Sequence, residues 1–178
     1  MQQPTILSPD DARALVPELG RTLTPNVWVY RFRHPKQRWT LSIATHAEPG
    51  SDKLSLGGFR IAPKERTESQ GFNPDREAIG LAMGMEEKVY WSRLIGVGGP
   101  LARRDMNRIV GGKCVLEPTD EARVGHPKDF ALLDWAIDCF RSFERVAGVR
   151  ITTGQDLGHG LMSDGVTQSL DMRPWPRS

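Results

Sequence analysis

Two lysines, an aspartate and a histidine carry the chemistry that this sequence offers. Lys113 follows a glycine pair in Gly111-Gly112-Lys113-Cys114-Val115-Leu116, and Lys88 closes the run Gly84-Met85-Glu86-Glu87-Lys88. Asp156 and His159 stand in Thr153-Gly154-Gln155-Asp156-Leu157-Gly158-His159. One ammonium can pair a carboxylate, while a second, desolvated and repelled by the first, holds its proton less tightly and serves as acid or base. Asp156 at a strand end would relay protons or orient a reacting amine, and His159 would add a second proton-transfer group. A further glycine pair, in Leu56-Gly57-Gly58-Phe59-Arg60, interrupts a strand where a ligand could lie against backbone. The four segments are expected to form one site for a small anionic molecule.

Each residue also has a plainer reading. Lys88 near the end of a helix is favoured by the negative end of the helix dipole, and lysines and aspartates are mostly surface residues. Cys114 is expected to point away from Lys113 into packing, and Cys139 to be inert core. His34, His46 and His126 fall at turns and form no ligand set, so no metal is expected. Gly96-Val97-Gly98 superficially suggests a dinucleotide loop, but such a loop needs a strand before it and a helix after it, and here a helix precedes it. Arg103-Arg104 reads as a solvated pair.

The elements that must position these residues alternate. A short helix is expected around Asp10–Leu19, then a hairpin of Val27–Phe32 and Trp39–Ala44 joined through Pro35–Arg38. A third strand covers Leu56–Ile61. Asn73-Pro74-Asp75 opens a long helix to about Trp91, with Ala78, Ile79, Ala82, Met83, Val89 and Tyr90 at helical spacing. Residues 92–108 read as an inserted irregular loop, and Arg108–Leu116 as the strand that carries Lys113. Pro127 opens a second long helix whose buried face is Leu132, Trp135, Ala136, Cys139, Phe140, Phe143 and Val146, capped by Gly148. Val149–Thr153 is a short strand, and a short helix around Leu161–Leu170 follows. The order predicts one three-layer α/β/α domain, residues 1–178, with a mixed sheet.

Composition narrows the function classes. The chain has 178 residues, 38% of them hydrophobic and 26% charged, with a formal net charge of +2. Those values describe a globular protein rather than a disordered one, and the near-balanced charge gives no reason to expect nucleic acid or an anionic membrane as partner. Two cysteines without metal-like spacing, no basic segment leading into an apolar one at the start, and no long apolar run together predict a soluble cytoplasmic protein.

The four segments Leu56-Gly57-Gly58-Phe59-Arg60, Gly84-Met85-Glu86-Glu87-Lys88, Gly111-Gly112-Lys113 and Thr153-Gly154-Gln155-Asp156-Leu157-Gly158 occur in the order and on the elements found in one known family. Together they resemble the N-terminal substrate-binding and dimerisation domain of the glutamate/leucine/phenylalanine/valine dehydrogenases, most strongly over residues 26–170. The resemblance implies that Gly57, Gly58 and Lys88 bind the α-carboxylate. It implies that Lys113 is the catalytic lysine, activating water and polarising the carbonyl or imine carbon, and that Asp156 exchanges protons with the amino group. Leu56 stands where glutamate-specific members carry a lysine, which implies an apolar substrate side chain.

Two departures shape what is expected. Lys88 and Lys113 are further apart than in the family, by the 92–108 loop. The family's C-terminal NAD-binding Rossmann domain has no counterpart in these residues, so no cofactor is expected in this chain, and NAD only if a separate chain or domain supplies it. The leading expectation is therefore an enzyme doing non-redox imine or proton-transfer chemistry on an amino acid or 2-oxo acid. The alternatives are the substrate half of a split NAD-dependent dehydrogenase, with a separate NAD-binding subunit as partner, or a non-catalytic dimerisation module. A homodimer or higher homo-oligomer is expected under all three.

Overall fold

Alternating apolar residues, Tyr30 and Phe32 on one strand and Leu41 and Ile43 on the next, drive two neighbouring strands to pair, and the computed structural model joins them as a hairpin. It describes residues 2–62, 67, 70–95, 106–117 and 127–152. Strand β2 (Trp28–Arg33) runs antiparallel to β3 (Thr40–Thr45), with Trp28 opposite Thr45 and Arg33 opposite Thr40. In the turn between them, the His34 ring nitrogen Nδ1 accepts from the amides of Lys36 and Gln37 at 3.0 and 2.9 Å. An edge strand β1 (Thr5–Leu7) pairs antiparallel with β2. At three residues it is too short to show alternation, and it was not expected.

Helix α1 (Pro9–Leu15) follows β1, with Ser8 and Asp11 capping each other's backbone amides, and a 3-10 turn over Pro17–Arg21 ends the segment. The helix expected over Asp10–Leu19 is thus split at Val16-Pro17, because Pro17 has no amide to continue the ladder. Strand β4 (Leu54–Ile61), helix α2 (Pro74–Ile95) and strand β5 (Ile109–Glu117) form a βαβ unit in which β4 and β5 are parallel neighbours. From β5, helix α3 (Pro127–Ala147) leads to β6 (Arg150–Thr152), parallel to β4 on its far side. The six strands lie in the order β1-β2-β3-β5-β4-β6, so the sheet is mixed.

Helices cover both faces. Tyr30, Phe32, Leu41, Ile43, Cys114 and Leu116 meet Leu132, Trp135, Ala136, Cys139, Phe140 and Phe143 of α3 in the larger core, with Tyr30 edge-on to Phe143 at 4.9 Å and Phe59 to Phe140 at 5.6 Å. Val146, expected on that buried face, is 38% exposed, and Ala147 takes its place. On the other face Val29, Ala44 and Val115 meet Ala78, Ile79 and Ala82 of α2, together with Ala12 and Leu19. Tyr90, expected inside, is 39% exposed, and its turn contributes Val89 and the carboxylate of Glu86 instead. The helix continues past Trp91 to Ile95, and residues 106–108 form a 3-10 turn, so both ends of the loop expected over 92–108 are helical instead. Residues 96–105, the short helix expected over Leu161–Leu170, and His126 lie outside the described residues.

The start of α2 is fastened to the sheet by a buried carboxylate. Asp75 is 1% exposed; it accepts from Arg31 Nε at 2.9 Å and from the Ser42 hydroxyl at 2.7 Å, and Arg31 and Ser42 are cross-strand partners of β2 and β3. Asn73 caps the same turn by accepting from the amides of Asp75 and Arg76. Removing one partner of a buried, hydrogen-bonded ion pair leaves the other uncompensated. Asp75→Ala is therefore expected to cost about 3–5 kcal/mol in urea unfolding. Asp10→Ala, which removes an exposed ion pair with Arg13, is expected to leave the unfolding midpoint unchanged within error.

Candidate functional site

Lys113 sits in the middle of β5, flanked by Ala44 on β3 and Gly58 on β4. Strand alternation decides its direction. Cys114 and Leu116 pack towards α3 and Val115 towards α2, so Gly111, Lys113 and Val115 share the α2 face. The same alternation puts Leu56, Gly58 and Arg60 on that face of β4, because Phe59 packs towards α3. Helix α2 lies above β5 and β3 and reaches little over β4. Lys113 therefore stands at the flank of α2, beside a strand position that carries no side chain, and is half-buried.

Its charge is held at a cost. Burial pushes the Lys113 ammonium below its ordinary value, and the Arg60 guanidinium pushes the same way; Cys114 opposes them, and the Lys88 ammonium adds the smallest downward push. Arg60 is the stronger of the two neighbouring cations, although it is itself paired with Glu77 of α2 at 3.1 Å. Lys88 is on the exposed side of α2, two turns before its end, and contributes less. A half-buried amine between two cations gives up its proton more readily than a free lysine and gains most from an anion placed beside it. Lys113, Gly58 and Lys88 are thus brought together, and Arg60 joins them, a residue that sequence reading quoted without giving it a role. Cys114 lies on the opposite face, fully buried, with its thiol pushed well up, and Cys139 is likewise core. Asp156 and His159 lie outside the described residues.

The glycines behave differently from the expectation that they leave room for a ligand. A side chain at Gly111 would meet the Glu86 backbone nitrogen at 2.3 Å and Cα at 2.5 Å, so its bare backbone is what lets α2 lie directly on β5. A side chain at Gly112 would meet Ser55 Oγ at 2.2 Å; the Thr45 and Ser55 hydroxyls hydrogen-bond to each other at 2.7 Å across that gap, from the strands either side of β5. A side chain at Gly57 would meet the Gly112 carbonyl oxygen at 1.9 Å. Gly57 is therefore spoken for by β5, on the face away from Lys113, whereas Gly58 is the glycine beside the lysine.

A buried acid–base pair next to the lysine escaped sequence reading. The Gly111 amide donates to Glu86 Oε2 at 3.0 Å, and Glu86 is 7% exposed. His46, just past the end of β3, points Nδ1 at the Gly111 carbonyl at 3.1 Å and lies 3.5 Å from the same Glu86 oxygen. Burial holds His46 below its ordinary value of 6.5, against the opposing pull of the Glu86 carboxylate and of the Gly111 and Thr24 carbonyls. No local pattern announces a contact between residues so far apart in the chain, and the sole signal was a glutamate on the otherwise apolar stripe of α2.

A βαβ unit can hold a dinucleotide when glycine amides cradle the phosphates at the helix start. Here the start of α2 is Asn73-Pro74-Asp75, which puts a proline and a buried carboxylate where such a cradle would have its glycine amides. Among the described residues no group of three or more metal-binding side chains comes together, and no helix is long and apolar enough to cross a membrane.

Two outcomes are expected. Gly111→Ala forces helix and strand apart and is expected to cost at least about 1–3 kcal/mol, as overpacking of a rigid contact does. Gly84→Ala is expected to stabilise by about 1 kcal/mol, the ordinary helix gain, since nothing lies within 4 Å of a side chain there. Denaturant midpoints check both. For pH, the unfolded chain takes up a proton on His46 near 6.5 while the folded chain resists, so stability falls as pH drops below that value. The loss between about pH 7.5 and about pH 5.5 is expected to be smaller in His46→Gln than in the unsubstituted protein. No family model matches this chain, and a search of curated proteins finds no match.

Proposed function

We propose that this chain is a domain of the amino-acid-dehydrogenase type that binds a small amino or 2-oxo acid with an apolar side chain and does non-redox imine or proton-transfer chemistry on it. The observation that carries this reading is the half-buried Lys113, its hold on a proton weakened by burial and by Arg60 and Lys88, standing beside the side-chain-free Gly58. In this reading Lys88 and the Gly58 backbone hold the carboxylate, and Lys113 accepts or donates the proton at the reacting carbon's substituent. Asp156, with His159 near it, supplies the second proton-transfer group. The register of the sheet supports this: β6 pairs Thr152 with Leu56, two residues along β4 from Gly58, and Asp156 follows Thr152 four residues later in the sequence. Leu56, on the same face of β4 as Gly58, gives the substrate side chain an apolar neighbour.

Titration calorimetry with a panel of amino and 2-oxo acids, with and without NAD, tests the reading. A branched or aromatic 2-oxo acid is expected to bind, and Lys113→Ala is expected to weaken it about ten- to a hundredfold, the loss of a charge-assisted hydrogen bond. Binding is also expected to fade as pH rises through the lowered Lys113 value, before the ordinary 10.5, because the charged form is the one that donates a hydrogen bond to the 2-oxo group. Undiminished affinity and turnover in Lys113→Ala would overturn the proposal. Binding that requires NAD would instead move the chemistry to a redox reaction completed by another chain.

A further inference from the structure

The Glu86 carboxylate grips the peptide two residues before Lys113. We propose that Glu86 is the positioning residue of the Lys113 site: it supplies the hydrogen-bond acceptor that β3 no longer provides at Gly111, and so fixes the strand segment that presents the lysine beside Gly58. The inference takes its meaning from the role proposed above for Lys113.

The ladder between β3 and β5 explains why an acceptor is needed there. It runs regularly from Thr40 opposite Glu117 to Thr45 opposite Gly112. At the next step His46 still donates its amide to the Gly111 carbonyl at 3.0 Å, but the return bond, from the Gly111 amide, goes to Glu86 Oε2 at 3.0 Å. The chain beyond β3 has turned away, and a side chain from α2 takes over half of the pair. A buried amide left without any acceptor costs stability. That cost falls at the most pliable place in β5, since Gly111 and Gly112 have no side chains to restrict their backbone.

Three further contacts fix the direction of the carboxylate. Gly111 lies in backbone contact with Glu86 itself, which brings the donor within reach. His46 Nδ1 stands 3.5 Å from Oε2, and Arg93, about two turns further along α2, stands 3.8 Å from Oε1 while donating to the Ile109 carbonyl at 2.6 Å. Helix, strand and the end of β3 therefore meet on one carboxylate, one residue step from Gly112 and two from Lys113.

Because Glu86 acts by position, keeping its acceptor should matter and keeping its charge should not. The test follows two signals in the full chain, neither of which needs a substrate: hydrogen exchange of the Gly111 amide, and the titration of Lys113 by NMR after carbon-13 methylation of lysines, assigned with Lys113→Arg. Glu86→Gln is expected to leave both as they are. Glu86→Ala is expected to speed Gly111 exchange at least about tenfold and to move the Lys113 midpoint up by about half a unit or more towards the ordinary lysine value, as the side chain leaves its half-buried place. An unchanged Lys113 midpoint in a folded Glu86→Ala chain would overturn the inference. If that chain does not fold, Glu86→Gln decides alone: a midpoint shifted by about half a unit or more with Gly111 still protected would mean that Glu86 acts by charge, and the inference fails. Loss of the binding expected in the previous subsection, with these signals behaving as stated, would sink the reading of Lys113 and leave the positioning role standing.

Discussion

The site depends on a helix lying directly on a glycine. Gly111 gives α2 a place where backbone meets backbone, with no room for even a methyl group. That contact sets the distance between α2 and β5, lets the Glu86 carboxylate reach the Gly111 amide, and leaves Lys113 to emerge at the flank of the helix rather than beneath it. The neighbouring Gly112 serves the opposite face, where its bare Cα lets Thr45 and Ser55 reach each other across β5. One glycine pair thus fits β5 closely on both faces, and the lysine follows at the first position where a side chain is allowed.

The parallel β4–β5 pair supplies the rest. Its connections leave on opposite faces, α2 on one and α3 on the other, so the apolar load is divided between two cores. Lys113 and Cys114, adjacent in sequence, end in unlike surroundings. The lysine shares its face with Arg60 and the exposed Lys88, while the cysteine is sealed under α3. Asp75 plays for the start of α2 the part that Glu86 plays near its end. Each is a carboxylate on a helix whose partners are on the sheet, and together they set where the helix lies along the strands as well as how close.

Local pattern carried the hairpin, the entry of α2 at Asn73-Pro74-Asp75, the buried stripe of α3 and the glycine that ends it; Gly148 indeed takes a positive φ of 62°. Those features rest on periodicity, capping and turn chemistry between near neighbours. What escaped was long-range. Asp75 reads as an acid favoured at a helix start, and only the folded chain shows it buried between Arg31 and Ser42. Glu86 and His46 read as a helix residue and a turn residue, with nothing nearby to join them. The glycines at 57, 111 and 112 were legible as close approaches, but the partner was mistaken, since it is protein backbone and side chain rather than a ligand. Gly58 and Lys113 are brought together through a parallel pairing that no short window of sequence contains.

The central claim is that a small carboxylate sits between Lys113 and Gly58, beside Lys88 and Arg60. A crystal of the full chain soaked with a branched 2-oxo acid tests it most directly. The expected result is a carboxylate within hydrogen-bonding distance of the Lys88 or Gly58 nitrogen, with its reacting carbon turned to Lys113 Nζ. A soaked crystal in which the acid binds elsewhere, or in which the face of β4 at Gly58 stays free of it while Lys113 is ordered, would contradict the claim.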